Sequence, residues 1–235
     1  MKPASEAARA LMDFTGKTSG EYTCLITIDE WKEKDPEKRA LVYIHGKGGK
    51  ATDAAYFEPL FPEYDVLGFD YRSEEPWDAG PEFKEYFESL SGEYSSVTVI
   101  ASSLGAYFLM ISGAGNLIKR AFFVSPIVDM ERLIRDMMLR AGVSEDELRE
   151  KGRIVVSPNE VLSWEYLDWV KSHPIAWGVQ TYILYGEKDN FQTIETMKRF
   201  AGSINADLTV MPNGEHWFHT DEQNEFRWNW LKEHR

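Results

Sequence analysis

The sequence predicts an α/β protein built on a mostly parallel central sheet with helices on both faces. Short apolar, β-prone runs alternate with helix-length segments along the chain, which is the pattern of such sheets. A length of 235 residues suits one α/β domain with a sizeable core, and a hydrophobic content of 43% with 14% aromatic residues indicates a globular chain. The predicted strands lie near 21–28, 40–44, 65–70, 96–100, 120–124, 180–185 and 207–211.

The first strand candidate contains Cys24, the only cysteine of the chain, which excludes an intrachain disulfide and predicts a buried structural thiol. The residues before it include no apolar signal segment, and no run approaches the roughly 20 apolar residues of a membrane span, so we expect a cytoplasmic protein. The formal charge of −13 disfavours nucleic acids and anionic lipid surfaces as partners.

The strand at 40–44 runs into the glycine-rich sequence His45-Gly46-Lys47-Gly48-Gly49. A glycine-rich backbone after a strand can direct N–H groups at an anion, either a phosphate or the oxyanion of an acyl-transfer reaction. The segment lies one strand–helix–strand unit before the serine described next, and this position favours the oxyanion function.

The strand at 96–100 ends in Ala101-Ser102-Ser103-Leu104-Gly105-Ala106, where an apolar run stops at a serine and restarts as a helix. A serine on a tight strand-to-helix turn needs small residues two positions before and after it, so that the flanking backbones can approach. Ala101 and Gly105 meet that need, although the usual pattern, G-x-S-x-G, has glycine in the first place. The same residues also suit any helix that packs closely on a sheet.

A serine hydroxyl becomes a good nucleophile only beside a base, usually histidine, which is in turn oriented by a carboxylate. The strand at 180–185 ends in a turn-forming stretch that carries Asp189, and the strand at 207–211 runs into a loop that carries His216. These two residues are the predicted acid and base. For the acid, the alternatives are Asp129, which follows the strand at 120–124, and Glu187.

The other histidines are not the predicted base. His219 lies three residues after the predicted base, near the start of the last helix, and remains an alternative to it. His173 and His234 are predicted to be exposed, and His45 to shape its loop.

The order Ser103, Asp189, His216, each just past a strand, resembles that of the α/β-hydrolase superfamily, of the small esterase or lipase-like type. The glycine-rich loop at 45–49 resembles the H-G loop of the same superfamily. The resemblance implies a nucleophilic Ser103, His216 as base and then acid, and Asp189 orienting His216. It also implies an oxyanion hole made by the amides of Leu104 and of Gly46 or Lys47.

The interval between the strands at 120–124 and 180–185 is too long for a simple crossover helix. We predict a single domain over 1–235 with a helical cap inserted at 126–178. The insert's apolar residues recur at helical spacing, which suits either an acyl-binding lid or plain packing onto the domain. In the first case the residues that line the acyl pocket would be Met130, Leu133, Met137 and Trp164.

The last predicted element is a C-terminal helix. It begins after Thr220, which with Gln223 has the spacing of a capping box, and Trp230 and Leu231 are expected in the core.

Taken together, these features predict a hydrolase that cleaves carboxylic esters through an acyl-enzyme, with a small acyl ester as its partner. A thioesterase or a small-peptide hydrolase is an alternative, because the same triad attacks any acyl carbonyl. A catalytically silent binding protein with the same fold is the alternative from another class. No H-E-x-x-H, Walker loop or G-x-G-x-x-G after a strand occurs, so neither a metal nor a cofactor is expected.

Overall fold

A computed structural model describes residues 37–158 and 160–235, so the strand predicted at 21–28 and Cys24 lie outside the described residues. The strands of the described part are β1 Arg39–Ile44, β2 Asp65–Gly68, β3 Ser96–Ser102, β4 Arg120–Val124, β5 Arg153–Ser157, β6 Glu160–Ser163, β7 Gln180–Gly186 and β8 Asp207–Met211. Six of them form one sheet in the order β2-β1-β3-β4-β7-β8, and every neighbouring pair in it is parallel.

The helices lie between these strands. They are α1 Pro76–Ser91, α2 Ser103–Ile111, α3 Met130–Ala141, α4 Glu145–Lys151, α5 Trp164–Ser172, α6 Ile194–Ser203 and α7 Asp221–His234, with 3₁₀ helices at Ala51–Leu60 and Ala114–Leu117. The predicted fold class is confirmed, and the six strands predicted from residue 40 onward coincide with the strands of the large sheet to within a few residues.

Alternate residues of the central strands enter two separate cores. On β1, Val42 and Ile44 belong to one cluster, whereas Leu41 and Tyr43 belong to the other. The first cluster includes side chains of α1, α2, α3, α5 and α6, and the second includes side chains of the 3₁₀ helix Ala51–Leu60 and of α7. Because successive side chains of a strand point to opposite faces, the sheet is covered by helices on both sides.

Residues 126–178, between β4 and β7, contain α3, α4, the antiparallel hairpin β5–β6 and α5. Leu148, Leu162 and Leu167 from this segment are buried in the first cluster. The hairpin was not expected, since the prediction gave the insert as helical. Its sequence signal is the β-branched run Ile154-Val155-Val156 followed by Pro158, a turn residue. The division of the chain into a domain and an inserted cap stays a prediction.

The C-terminal helix begins as its sequence predicts. Thr220 Oγ1 accepts the backbone N–H of Gln223 at 3.3 Å, and Trp230 and Leu231 are buried. Helix α7 therefore covers the second face of the sheet. Within the described ranges, no helix combines the length and the apolar character needed to cross a bilayer.

We predict that Leu231→Ala lowers the free energy of unfolding by about 2–5 kcal/mol, because its side chain is fully buried in the second core and its removal leaves a cavity. The matched control is Leu139→Ala on α3, where the leucine is 81% exposed and we expect a change within about 0.5 kcal/mol. Urea denaturation of both variants measures the difference. Equal effects would contradict the assignment of α7 to the core.

Candidate active site

Ser103 stands at the junction of β3 and α2. Its φ of +49° lies in the left-handed region, which costs a non-glycine residue of the order of 1–3 kcal/mol. Ala101, two residues earlier, is fully buried and paired with Ile44 of β1 on one side and Phe123 of β4 on the other. The serine thus follows a strand that lies in the middle of the sheet, on the tight turn that the sequence predicts.

Gly105 lets the first turn of α2 pack directly on the end of β1. A Cβ at this position would lie 2.2 Å from the carbonyl oxygen of His45 and 2.8 Å from Cγ2 of Ile44. The first contact is with backbone, which cannot move aside as a flexible side chain can. The small residue that the pattern requires two places after the serine is therefore a steric necessity here.

The imidazole of His216 bridges the hydroxyl of Ser103 and the carboxylate of Asp189. The distance from Nε2 to Ser103 Oγ is 2.8 Å, and the distance from Nδ1 to Asp189 Oδ2 is 2.7 Å. A carboxylate only accepts hydrogen bonds, so Nδ1 carries the hydrogen and Nε2 of the neutral ring accepts the serine hydroxyl. The side chains of His216 and Asp189 are 3% and 0% exposed.

The second carboxylate oxygen of Asp189 is also hydrogen-bonded. Oδ1 accepts the backbone N–H groups of Phe191 at 2.8 Å and of Gln192 at 3.1 Å. The ring of Phe191 lies 4.5 Å from that of His216, centroid to centroid. The buried carboxylate is thus held in one orientation by fixed donors, with an aromatic wall beside the imidazole.

Two loops meet to bring the acid and the base together. A Cβ on Gly186, at the end of β7, would lie 2.6 Å from the carbonyl oxygen of Gly214. The amide of Lys188 donates to that same oxygen at 2.7 Å, and the amide of Glu187 donates to the carbonyl of Met211 at 3.0 Å. The loops after β7 and β8 are therefore joined along their backbones, and the close approach depends on glycine.

The alternative carboxylates have other partners. Asp129 Oδ1 accepts the amide of Arg132 at 3.0 Å and so caps α3. Glu187 Oε2 accepts the amide of Asn213 at 2.9 Å and so supports the turn that precedes the histidine loop. Asp189 is the carboxylate that contacts His216.

The alternative histidines also lie elsewhere. His219 is largely exposed and lies 3.4 Å from a carboxylate oxygen of Glu215. His173 is exposed and stacks on Trp169, with ring centroids 4.0 Å apart, and Nδ1 of His234 lies 2.8 Å from the carbonyl oxygen of Trp230. His234 is partly buried rather than exposed, since it packs between the end of α7 and β7.

The loop after β1 is held by Tyr71, a residue that the sequence analysis did not single out. Its hydroxyl donates to the carbonyl oxygen of His45 at 2.9 Å, and the two rings stack with centroids 4.5 Å apart. Burial raises the pKa of the Tyr71 phenol, so the hydroxyl keeps its proton and remains a donor. His45 Nδ1 also lies 2.8 Å from the carbonyl oxygen of Gly46. The loop conformation thus depends on contacts of both His45 and Tyr71.

The residues of the predicted oxyanion hole lie near Ser103. Gly46 and Lys47 line the same cleft as the serine, and Leu104 is in the first turn of α2. First-turn amides of a helix have no acceptor within the helix, and here the cap residue Ser102 provides no side-chain acceptor either. The assignment of particular amides to an oxyanion stays a prediction.

An open cleft of about 160 Å³ gives access to the serine. It runs between the loop after β1 and helix α7. Its walls include Tyr43, Lys47, Ser103, His216, Trp217 and Arg227. The indole of Trp217 is 58% exposed and forms an apolar surface beside the imidazole.

The four residues predicted to line an acyl pocket are not among the residues that line this cleft. Met130 and Leu133 are buried in the first core, and Met137 and Trp164 are half-buried against it. Met130 also lines a separate cavity of about 550 Å³ between α3 and α6. Packing of the insert accounts for all four positions, and their role in acyl binding stays a prediction.

A serine hydroxyl, an imidazole and a carboxylate in line can perform nucleophilic acyl chemistry, since the ring can accept the proton that the serine loses. In the described part of the chain, no group of three or more His, Cys, Asp or Glu residues is arranged to hold a metal ion.

Comparison with known proteins identifies the fold of the chain. No protein-family model matches the sequence, and no curated protein sequence matches it significantly. The structure is similar to Est1E from Butyrivibrio proteoclasticus, which is 16% identical with a TM-score of 0.66 over 85% of this chain and 88% of that one. Est1E has also been solved with ferulic acid bound.

A monoacylglycerol lipase from Paleococcus ferrophilus is 14% identical, with a TM-score of 0.58 over 86% of this chain and 97% of that one. An esterase from Pyrococcus furiosus is 16% identical, with a TM-score of 0.56 over 84% of this chain and 80% of that one. The chain therefore has the α/β-hydrolase fold. The structures that share this fold with it include an esterase and a monoacylglycerol lipase.

We predict that Gly105→Ala lowers the free energy of unfolding by about 1–3 kcal/mol, because the added methyl group has no space against the backbone carbonyl of His45, just after β1. The control is Gly202→Ala in the last turn of α6, where the added carbon would meet no atom within 4 Å beyond its chain neighbours and its own helix backbone. There we expect a gain of about 0.5–1 kcal/mol from helix propensity. Urea denaturation compares the two variants, and a loss of similar size in both would rule out the steric explanation.

Proposed function

We propose that this protein is a serine hydrolase that cleaves carboxylic esters through an acyl-enzyme intermediate. In this proposal Ser103 is the nucleophile, His216 is the base and then the acid, and Asp189 orients His216. The observation that carries it is the pair of short contacts of one imidazole, 2.8 Å to the serine oxygen and 2.7 Å to the carboxylate.

The first half of the reaction acylates the serine. His216 Nε2 takes the hydroxyl proton as Ser103 Oγ attacks the carbonyl carbon, and the carbonyl oxygen becomes an oxyanion. In the proposal the amides of Leu104 and of Gly46 or Lys47 bind that oxyanion. When the tetrahedral intermediate collapses, the bond to the alcohol breaks, the imidazolium gives the alcohol its proton, and the acyl group remains on Ser103.

The second half releases the acid. Water gives a proton to His216 and attacks the acyl carbonyl, and the serine oxygen leaves with the proton that the imidazolium returns. Both halves create a positive imidazolium next to Asp189. Because that carboxylate is fully buried, its attraction for the imidazolium is screened less than it would be in water.

The strain at Ser103 favours an enzyme over a silent binding protein. A left-handed serine is retained only where the surroundings impose it, and such strain clusters at functional sites. The fold supports the same class by analogy, since its structural neighbours include an esterase and a lipase. The choice of an ester over a thioester or a small peptide belongs to this proposal, and a substrate panel distinguishes these three.

A fluorophosphonate probe tests the nucleophile. We expect the probe to label the wild type at Ser103, to fail with Ser103→Ala, and to label Ser89→Ala, a variant of an exposed serine on α1, as it labels the wild type. Ester turnover by Ser103→Ala or His216→Ala should fall about 10⁴-fold or more with the fold intact, because the triad acts as a unit. Undiminished turnover by Ser103→Ala would contradict the assignment of Ser103 as the nucleophile.

Exchange of the acid tests the orientation of the imidazole. Asp189→Asn should lower ester turnover by roughly 10³–10⁴-fold, because an amide can donate to Nδ1 and so favours the wrong tautomer. The matched control is Asp129→Asn, which alters the other candidate carboxylate and should keep near wild-type turnover. Steady-state kinetics with a 4-nitrophenyl ester measures both. If Asp129→Asn were the variant that loses turnover, the acid would be misassigned.

A further inference from the structure

The cleft at Ser103 is lined by basic and not by acidic side chains, whereas the chain as a whole is acidic. The protein has 39 acidic and 26 basic side chains, yet the charged residues that line the cleft in the described structure are Lys47 and Arg227, with no aspartate or glutamate among them. The contrast marks the cleft as a place where a negative ligand is favoured over the surrounding surface.

Arg227 is held in place by contacts that leave its charge unpaired. Nη2 donates to Oδ1 of Asn224 at 2.8 Å, and Cζ lies 5.1 Å and 5.8 Å from the ring centroids of Tyr56 and Phe57. Nε is buried and has no hydrogen-bond partner. Among the described residues, no carboxylate forms an ion pair with this guanidinium.

The charges of Asp53 and Arg227 both act on Tyr43, but the carboxylate of Asp53 has another partner. Oδ2 of Asp53 accepts the amide of Lys50 at 3.2 Å, at the start of the 3₁₀ helix Ala51–Leu60. Burial raises the pKa of the Tyr43 phenol, Asp53 raises it further, and the charge of Arg227 acts in the opposite direction. The field of Arg227 therefore reaches Tyr43, which is part of the cleft wall.

We propose that the cleft binds esters that carry a second, free carboxylate, and that Arg227 binds this carboxylate while Ser103 attacks the ester carbonyl. The buried Nε is not open to a ligand, but Nη1 has no hydrogen-bond partner among the described residues and Nη2 has one described partner, Asn224. A guanidinium fixed in orientation with donors on both terminal nitrogens is well suited to bind a carboxylate through two parallel hydrogen bonds. One arginine matches one negative charge. The inference rests on the proposed function for the reaction, and it adds the substrate class.

The kinetic test compares two esters of equal acyl length, mono(4-nitrophenyl) adipate and 4-nitrophenyl hexanoate. We expect the wild type to prefer the adipate in kcat/KM. Arg227→Gln should raise the KM for the adipate by about tenfold or more, with kcat little changed, because a charge-assisted hydrogen bond is lost. The ratio of kcat/KM for the adipate to that for the hexanoate should therefore fall by about tenfold, since only the adipate carries the charge that Arg227 binds.

A matched control separates the direct contact of Arg227 with the substrate carboxylate from the effect of the protein's overall charge. Lys232→Gln removes one positive charge from the same helix, and its Nζ lies 5.9 Å from the ring centroid of Trp228, outside the cleft lining. It should leave the ratio of the two esters unchanged. Arg227→Lys keeps the charge but loses the planar pair of donors, so we expect a several-fold rise in KM for the adipate. If Arg227→Gln does not fold, Arg227→Lys decides the question, and an unchanged KM overturns the proposal.

A binding measurement keeps this inference distinct from the proposed function. Monomethyl adipate is titrated calorimetrically into Ser103→Ala, which cannot form the acyl-enzyme, and into Ser103→Ala combined with Arg227→Gln. We expect at least a tenfold weaker Kd in the double variant, and weaker binding to Ser103→Ala as NaCl is added. Failure of the wild type to hydrolyse any ester would remove the proposed function and leave this result standing. Three results would overturn the carboxylate site. They are equal Kd values for the two variants, an equal loss of kcat/KM on both esters with Arg227→Gln, and a loss with Lys232→Gln as large as with Arg227→Gln.

Discussion

The left-handed backbone of Ser103 is the constraint on which the arrangement of the site depends. A residue other than glycine keeps a φ of +49° only if its surroundings compensate for the strain. The surroundings here are a strand paired on both sides, the close contact of Gly105 with the backbone carbonyl of His45, and a hydrogen bond from the amide of Ile127 to the Ser103 carbonyl at 3.2 Å. These contacts hold the serine at the carboxyl ends of the strands, where the loops after β1, β7 and β8 meet.

Asp189 is coupled to the long segment between β4 and β7 through one buried residue, Gln192. The backbone N–H of Gln192 donates to Asp189 Oδ1, while its side-chain Oε1 accepts the backbone N–H groups of Val128 at 3.2 Å and Asp129 at 2.9 Å. The carbonyl oxygen of Gln192 accepts the Tyr185 hydroxyl at 2.8 Å. The position of the Asp189 carboxylate thus depends on backbone at the start of that segment. Contacts of this kind give the segment an influence on the site without a contact to substrate.

The fold and the cleft carry different information. A shared fold is compatible with many substrates, because the sheet and its helices fix where a serine, a histidine and an acid meet but leave the surrounding walls free to vary. The walls of this cleft come from the loop after β1, the loop after β8 and helix α7, and they combine an exposed indole with a guanidinium. In the proposal that Arg227 binds a carboxylate, those two groups set the preference between an apolar and a charged substrate, which the backbone arrangement alone does not.

The sequence by itself determined the class of fold, the strands of the large sheet and the candidates that meet at its edge. These depend on short-range rules: apolar periodicity, turn-forming residues after strands, and small residues on either side of Ser103. The tertiary structure alone decided that Asp189, and not Asp129, contacts His216, that β5 and β6 form a hairpin, and that Arg227 shares a cleft with Ser103. The physical reason is that local patterns indicate which side chains become buried. The partner that each buried side chain contacts depends on residues far apart in the chain.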